Sequence, residues 1–155
     1  MIDICFVCLG NICRSPTAEG VMNKLIEERN LQGKITVDSA GTSAYHVGEG
    51  ADGRSQATAA KRGFHLPSRS RQFTPQDFAR FDYVVAMDQS NLNKLLRMAP
   101  SPEAKGKCVL LRSFDPNSPP NAEVPDPYYG GPNGFERVLD ICIAGCKGLL
   151  EHLIK

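Results

Sequence analysis

Short, nearly unbroken apolar runs alternate along this chain with segments whose apolar residues recur at helical spacing. No other feature of the sequence constrains the fold as much. Residues 2–7 (Ile-Asp-Ile-Cys-Phe-Val), 34–37 (Lys-Ile-Thr-Val) and 82–87 (Asp-Tyr-Val-Val-Ala-Met) read as strands buried on both faces, and 108–111 (Cys-Val-Leu-Leu) as a shorter fourth. Between them, Ala18, Val21, Met22, Leu25 and Ile26 mark one helix, 54–62 a second stopped by Gly63, and Asp88 is placed to cap a third running through Leu96. Phe135, Val138, Leu139, Cys142, Cys146, Leu149, Leu150 and Leu153 form the apolar stripe of a last helix. Strands that alternate with helices are joined by right-handed crossovers. The expected fold is therefore α/β: a doubly wound, four-stranded, mostly parallel sheet with helices on both faces, filling residues 1–155 as one domain. Ligands bind such sheets outside the carboxyl ends of the strands, near a topological switch point.

Composition narrows the function classes. A net charge of +1 gives no bulk electrostatic reason to bind nucleic acid or an anionic membrane, so any anion site must be local. The opening Met1-Ile2-Asp3 carries an acid too early for a secretory signal, and no apolar run approaches the length of a membrane span. The expected setting is the cytoplasm, where the six cysteines stay reduced. Residues 115–127 are Pro-rich and read as a long surface loop, and loops of that length are often functional.

The strongest chemical signal is the segment Cys8-Leu9-Gly10-Asn11-Ile12-Cys13-Arg14-Ser15, which joins the first strand to the first helix. Successive backbone N–H groups in a tight loop make a nest for a polyanion, and the helix behind it adds unpaired N–H groups and the positive end of its dipole. Arg14 brings a planar, permanently charged fork that fits two phosphate oxygens at once. The same field favours ionisation of Cys8, since thiols at helix N-termini or beside arginine ionise well below free cysteine. One loop thus supplies a nucleophile and an anion clamp. Ser15-Pro16 is expected to open the helix, with Ser15 as N-cap and proline at the first helical position.

With Val7 before it and Pro16 after it, this segment resembles the signature loop of the low molecular weight protein tyrosine phosphatases. The resemblance runs along essentially the whole chain, through Asp38-Ser39-Ala40-Gly41, Ala86-Met87-Asp88 and Asp126-Pro127-Tyr128-Tyr129-Gly130. It implies that Cys8 forms a phosphocysteine, that Arg14 binds the phosphoryl oxygens and that Asp126 is the general acid. Leu9, Gly10, Asn11, Ile12, Cys13 and Ser15 would complete the phosphate-binding loop, Asn11 and Ser15 bracing it and the Ser15 hydroxyl stabilising the sulfur. Tyr45, Tyr128 and Tyr129 would line an aromatic entrance, and Asp88 would play a supporting part. Expected partners are phosphotyrosine proteins and inorganic phosphate or similar oxyanion inhibitors, with no metal or other cofactor. Cys13, at the far end of the loop, would pair with Cys8 under oxidation. Chemistry supports Asp126 independently: a phenolate leaving group needs a proton, and a loop beside Pro127 and two tyrosines can favour a protonated carboxyl.

Other signals are weaker. Gly48-Glu49-Gly50-Ala51-Asp52-Gly53 matches a dinucleotide fingerprint but follows a polar loop rather than a strand, and reads as a turn. Cys5 and Cys8, three apart on a strand, point to opposite faces and cannot share a metal. Cys142 and Cys146 belong to the last helix's apolar stripe, and His46, His65 and His152 form no catalytic set. In one place the chain departs from the family pattern: Ser68-Arg69-Ser70 precedes Arg71-Gln72 where many relatives carry a histidine, and a serine hydroxyl is expected to substitute. Arsenate reduction on the same fold needs relay cysteines, and none occurs between Cys13 and Cys108. Phosphoarginine hydrolysis is the other enzymatic alternative; relatives of that kind tend to have threonine at the Ile12 position and lack the tyrosine pair. A non-catalytic phosphate-binding module would not need both Cys8 and Asp126.

Overall fold

The computed structural model describes residues 1–129 and 131–155, the side chains of Tyr129 and Pro132 excepted. Four strands, β1 (Ile2–Cys8), β2 (Ile35–Gly41), β3 (Tyr83–Ala86) and β4 (Cys108–Leu110), form one sheet in the order β2-β1-β3-β4. Every pairing is parallel, which makes the sheet wholly rather than mostly parallel. The first three strand predictions hold to within a few residues. The fourth is one residue too long, because Leu111 starts a 3-10 turn over Leu111–Phe114 and turns its side chain into the core.

Strand alternation divides the core in two. Ile4, Phe6 and Cys8 of β1 face one side of the sheet. There they meet α1 (Arg14–Glu28) and the long α6 (Gly134–Ile154), through Val21 and Met22 and through Val138, Leu139, Cys142, Cys146 and Leu149. Cys5 and Val7 face the other side, against Phe73, Phe81 and three shorter helices. These are α3 (Asp77–Arg80), α4 (Gln89–Met98) and α5 (Pro102–Gly106), which contribute Phe78, Leu95 and Ala104. Each large side chain buried this way is worth about 1.5–3 kcal/mol, so a central strand with both faces covered is strongly specified. The placement also confirms that Cys5 and Cys8 lie on opposite faces.

Three helix starts follow the capping rules, and one expected cap is an exception. The Asp52 side chain caps α2 (Gly53–Lys61) by accepting from Arg54 N–H, Asp88 caps α4 through Asn91 N–H, and Ser101 caps α5 with Pro102 behind it. Gly63, at φ +83°, stops the chain after α2 as expected. The exception is Ser15. Helix α1 begins at Arg14 after Cys13, with no side-chain cap, so Ser15 lies inside the first turn. Its hydroxyl is spent in the interior instead. Helices α3 and α5 escaped the sequence reading because four or five residues carry too little periodicity to register.

The order β2-β1-β3-β4 places the chain's change of direction between β1 and β3. The loops that leave these two strands depart toward opposite flanks and open a crevice at their carboxyl ends. Cys8 closes β1 at that crevice, and Asp88 stands just beyond β3. Among the described residues, no helix is long and apolar enough to cross a membrane.

Candidate active site

The loop after β1 is held from outside by its carbonyls. Those of Cys8 and Leu9 accept from Thr42 and Ser43 N–H at 2.9 Å each, and that of Ile12 from Asp52 N–H at 2.7 Å. The Gly10 carbonyl accepts from the Ser70 hydroxyl at 2.9 Å. C=O and N–H of one planar trans peptide point opposite ways, so these bonds turn the following amides inward. The Asn11 N–H shows the result, lying 3.3 Å from Cys8 Sγ. Gly41, at the end of β2, lets the loop sit this close: a β-carbon there would lie 2.7 Å from the Leu9 carbonyl oxygen.

Asn11 adopts φ +58°, a left-handed conformation that asparagine tolerates better than most residues. Its buried amide is fully used. Nδ2 donates to Ser15 Oγ at 2.8 Å and to Ser39 Oγ at 3.0 Å, while Oδ1 accepts from Arg71 N–H at 3.0 Å. Ser15 Oγ lies 3.0 Å from Cys8 Sγ. Cys8 itself is 3% exposed, at the base of the loop. Ser70, within the Ser68-Arg69-Ser70 segment that departs from the family pattern, bonds the loop through the Gly10 carbonyl.

Arg14 is buried and anchored through one nitrogen: Nη1 donates to Asp88 Oδ2 at 2.6 Å and to the Val124 carbonyl at 3.0 Å. Burial alone would favour losing its proton. The neighbouring Cys8 and the Asp88 carboxylate outweigh that and hold the guanidinium charge more firmly than in water. Asp88 therefore does two jobs, capping α4 with Oδ1 and fixing Arg14 with Oδ2. Val124 ties the start of the Asp126 loop to the same arginine and to the residue after β3, its N–H donating to the Met87 carbonyl at 2.8 Å.

A cleft of about 410 Å³ opens over this loop. Cys8, Leu9, Gly10, Ile12, Cys13 and Arg14 form its floor and near wall, and Ser43, Tyr45, His46, Asp126, Pro127 and Tyr128 its far wall and mouth. Asp126 Oδ1 accepts from Tyr128 N–H at 3.0 Å. The Tyr128 hydroxyl donates to Asp52 Oδ2 at 3.0 Å, and the Arg54 guanidinium stacks 4.7 Å from the ring centre. Burial beside Cys13 and Asp52 pushes the Tyr128 phenol well above its usual range. Tyr45 is 85% exposed and stands at the rim, edge-on to His46. The side chain of Tyr129 lies outside the described residues. Cys13 is free, as is Cys8, and burial pushes its thiol up to about 11 against the hydrogen bonds of Tyr128 and Ser55.

Sequence reasoning missed several residues here. His46 forms part of the cleft wall rather than of a catalytic set, with Nδ1 2.9 Å from Glu49 Oε2; its place beside Tyr45 was the available signal. Asp52 and Arg54, which steady Tyr128, and Ser39 and Glu19, behind Asn11, reach the site only through the fold.

The chain matches the family model for low molecular weight phosphotyrosine protein phosphatase over residues 3–155. A low molecular weight protein-tyrosine-phosphatase of Streptomyces coelicolor is 47% identical over 148 residues, spanning 95% of this chain and 90% of its own. The solved structure of a protein tyrosine phosphatase from Entamoeba histolytica superposes with a TM-score of 0.94 at 44% identity, covering 99% of this chain and 97% of that one. The structure of a Drosophila arginine phosphatase gives 0.90 at 35% identity, covering 98% of each chain.

Proposed function

The chain belongs to the low molecular weight phosphotyrosine protein phosphatase family, and from that premise we propose that residues 1–155 act as one domain that hydrolyses phosphotyrosine and small aryl phosphates through a phosphocysteine on Cys8. The observation that carries the reading is the convergence of Cys8, Arg14 and Asp126 on a single cleft over a loop whose amides turn inward. The Cys8 thiolate attacks phosphorus while the P–O bond to the tyrosyl oxygen breaks. Asp126 delivers its proton to that oxygen, so tyrosine leaves neutral. Asp126, now a carboxylate, takes a proton from water as its oxygen attacks the phosphocysteine; the P–S bond breaks and inorganic phosphate leaves. Arg14 and the loop amides meet the charge on the equatorial oxygens in both halves. Inorganic phosphate and similar oxyanions bind the same loop as inhibitors.

The aromatic mouth supports an aryl substrate. Tyr128 is braced by Asp52 and Arg54 and lines the same cleft as Cys8, so its ring is available to a phenyl group of the substrate. Hydrolysis of phosphoarginine is the competing activity, known by name from one structural neighbour. The working compartment is a reducing cytoplasm, where peroxide would convert Cys8 to a sulfenic acid that Cys13 captures as a disulfide. Rapid quenching of the wild type with a phosphotyrosine peptide should trap one phosphate on Cys8. Cys8→Ser should lose turnover while still binding vanadate, with chelator leaving the wild type unaffected. Normal turnover by Cys8→Ser would remove the mechanism, and equal cleavage of phosphoarginine and phosphotyrosine peptides would remove the substrate assignment.

A further inference from the structure

A buried carboxyl group that this chemistry leaves unused stands at the end of a hydrogen-bond chain that begins on the Cys8 sulfur. Glu19 lies on α1 one turn after Ser15, so both side chains leave the same face of the helix. It is 8% exposed, and its Oε1 accepts from Ser39 Oγ at 2.5 Å. Ser39 Oγ accepts from Asn11 Nδ2, Asn11 Nδ2 also donates to Ser15 Oγ, and Ser15 Oγ meets Cys8 Sγ. Four other groups surround the carboxyl: Ser68 and Arg71 from the loop before α3, Asp38 from β2 and Cys5 from β1.

The direction of each bond follows from what its ends can do. A carboxylate only accepts, so Glu19 takes the single hydroxyl proton of Ser39. A backbone N–H only donates, so Arg71 N–H, bonded to Asn11 Oδ1, turns both amide hydrogens of Asn11 toward the two serines. Ser15 already accepts from Asn11. Its one proton is left for Cys8, and a donor aimed at a thiolate stabilises it. We infer that Glu19 is a positioning residue for the nucleophile: acting through Ser39 and Asn11, it keeps the Ser15 hydroxyl a donor to Cys8. The inference rests on Cys8 being the nucleophile of the proposed reaction.

The test separates an acceptor from a charge. Glu19→Gln keeps an oxygen that Ser39 can donate to and removes the charge, whereas Glu19→Leu removes both. For each, the rate of Cys8 alkylation by iodoacetate is followed against pH by mass spectrometry, which reads thiolate formation whether or not Cys8 catalyses anything. Losing the relay should raise the alkylation midpoint of Glu19→Leu by about one pH unit and lower its kcat about tenfold with KM little changed, a tenfold step being one pH unit of thiolate stability. Glu19→Gln should stay within about threefold of the native kcat, its midpoint level or lower, since removing a negative charge favours the thiolate. Ser39→Ala should match Glu19→Leu, and the double variant should lose no more than either alone. If Glu19→Leu does not fold, Ser39→Ala takes its place against Glu19→Gln. Equal midpoints in the Gln and cut-relay variants, or additive losses in the double variant, overturn the inference. Failure of Cys8 to carry phosphate would instead overturn the reaction and leave the alkylation result standing.

Discussion

Asp126 is half-buried, with one carboxylate oxygen committed to the amide of Tyr128, while Arg14 is buried and pinned by Asp88 and Val124. Their removal should therefore read differently. Asp126→Ala should cost about 10²–10⁴-fold in kcat on phenyl phosphate and far less on an aryl phosphate whose leaving group is already a stable anion. Arg14→Lys should depress both substrates alike, because lysine cannot reproduce the bidentate fork. Steady-state kinetics on the two esters decide this, and equal losses for Asp126→Ala would make that residue structural. Cys13 is tested by peroxide. If it is the resolving thiol, it should attack the Cys8 sulfenic acid, an S–S bond forming as the sulfenic oxygen leaves as water with the thiol proton. Because that thiol is held protonated up to about 11, capture should be slow at neutral pH and quicken as pH rises. Cys13→Ser should keep its activity but lose most thiol-dependent recovery; recovery equal to the wild type would exclude it as the resolving thiol.

At the scale of elements, two glycines record how closely backbone meets backbone. A β-carbon on Gly41 would meet the loop itself, 2.7 Å from the Leu9 oxygen and 3.2 Å from Asn11 Cβ. One on Gly148 of α6 would meet the Phe114 carbonyl oxygen at 1.9 Å. Gly41→Ala should displace the anion loop, cutting kcat and vanadate affinity by about tenfold or more with a small loss of stability. Gly148→Ala forces α6 away from the 3-10 turn after β4. Overpacking of this kind costs about 1–3 kcal/mol, so thermal melting should drop by several degrees with the kinetic constants kept. Melting curves and kinetics on both variants test the division, and the reverse pattern would mean that these two close approaches do not separate stability from catalysis.

Across the whole molecule, the buried Glu19 ties stability to pH. Burial raises its carboxyl above the ordinary value against the pull of Ser39, Ser68 and Arg71, with Asp38 adding to the rise. The folded state thus holds this proton longer than the unfolded chain, whose value is about 4.3. Stability from the protonated form is fully present below that unfolded value and is lost as pH climbs through the higher folded one. Glu19→Gln has no such proton to lose. Its stability relative to the native chain should rise across that window and level off above it, as urea titrations from pH 4 to pH 8 would show. A difference that stays flat with pH would place the carboxyl's proton affinity the same in both states.

Much of this protein was legible in one dimension. Apolar runs that alternate with amphipathic ones admit few folds, since a parallel sheet must be covered on both faces. The anion loop is contiguous, so Cys8, Arg14 and the residues between them could be read together as a candidate site from their place between a buried strand and a helix, with the family resemblance supplying their roles. The rest was not legible because it depends on approach through space. Ser15 sits where a cap belongs in sequence, yet the folded loop brings a sulfur within 3.0 Å of its hydroxyl and claims it. Asp88, an ordinary helix cap by position, gains Arg14 only because β3 lies beside β1. Glu19 and Ser39 are twenty residues apart, and nothing in the chain pairs them; they meet because β2 pairs with β1 while α1 crosses over the sheet. Short-range spacing fixes which groups a loop can offer, while the direction of a buried hydrogen bond is decided only by which donor or acceptor the fold sets opposite it.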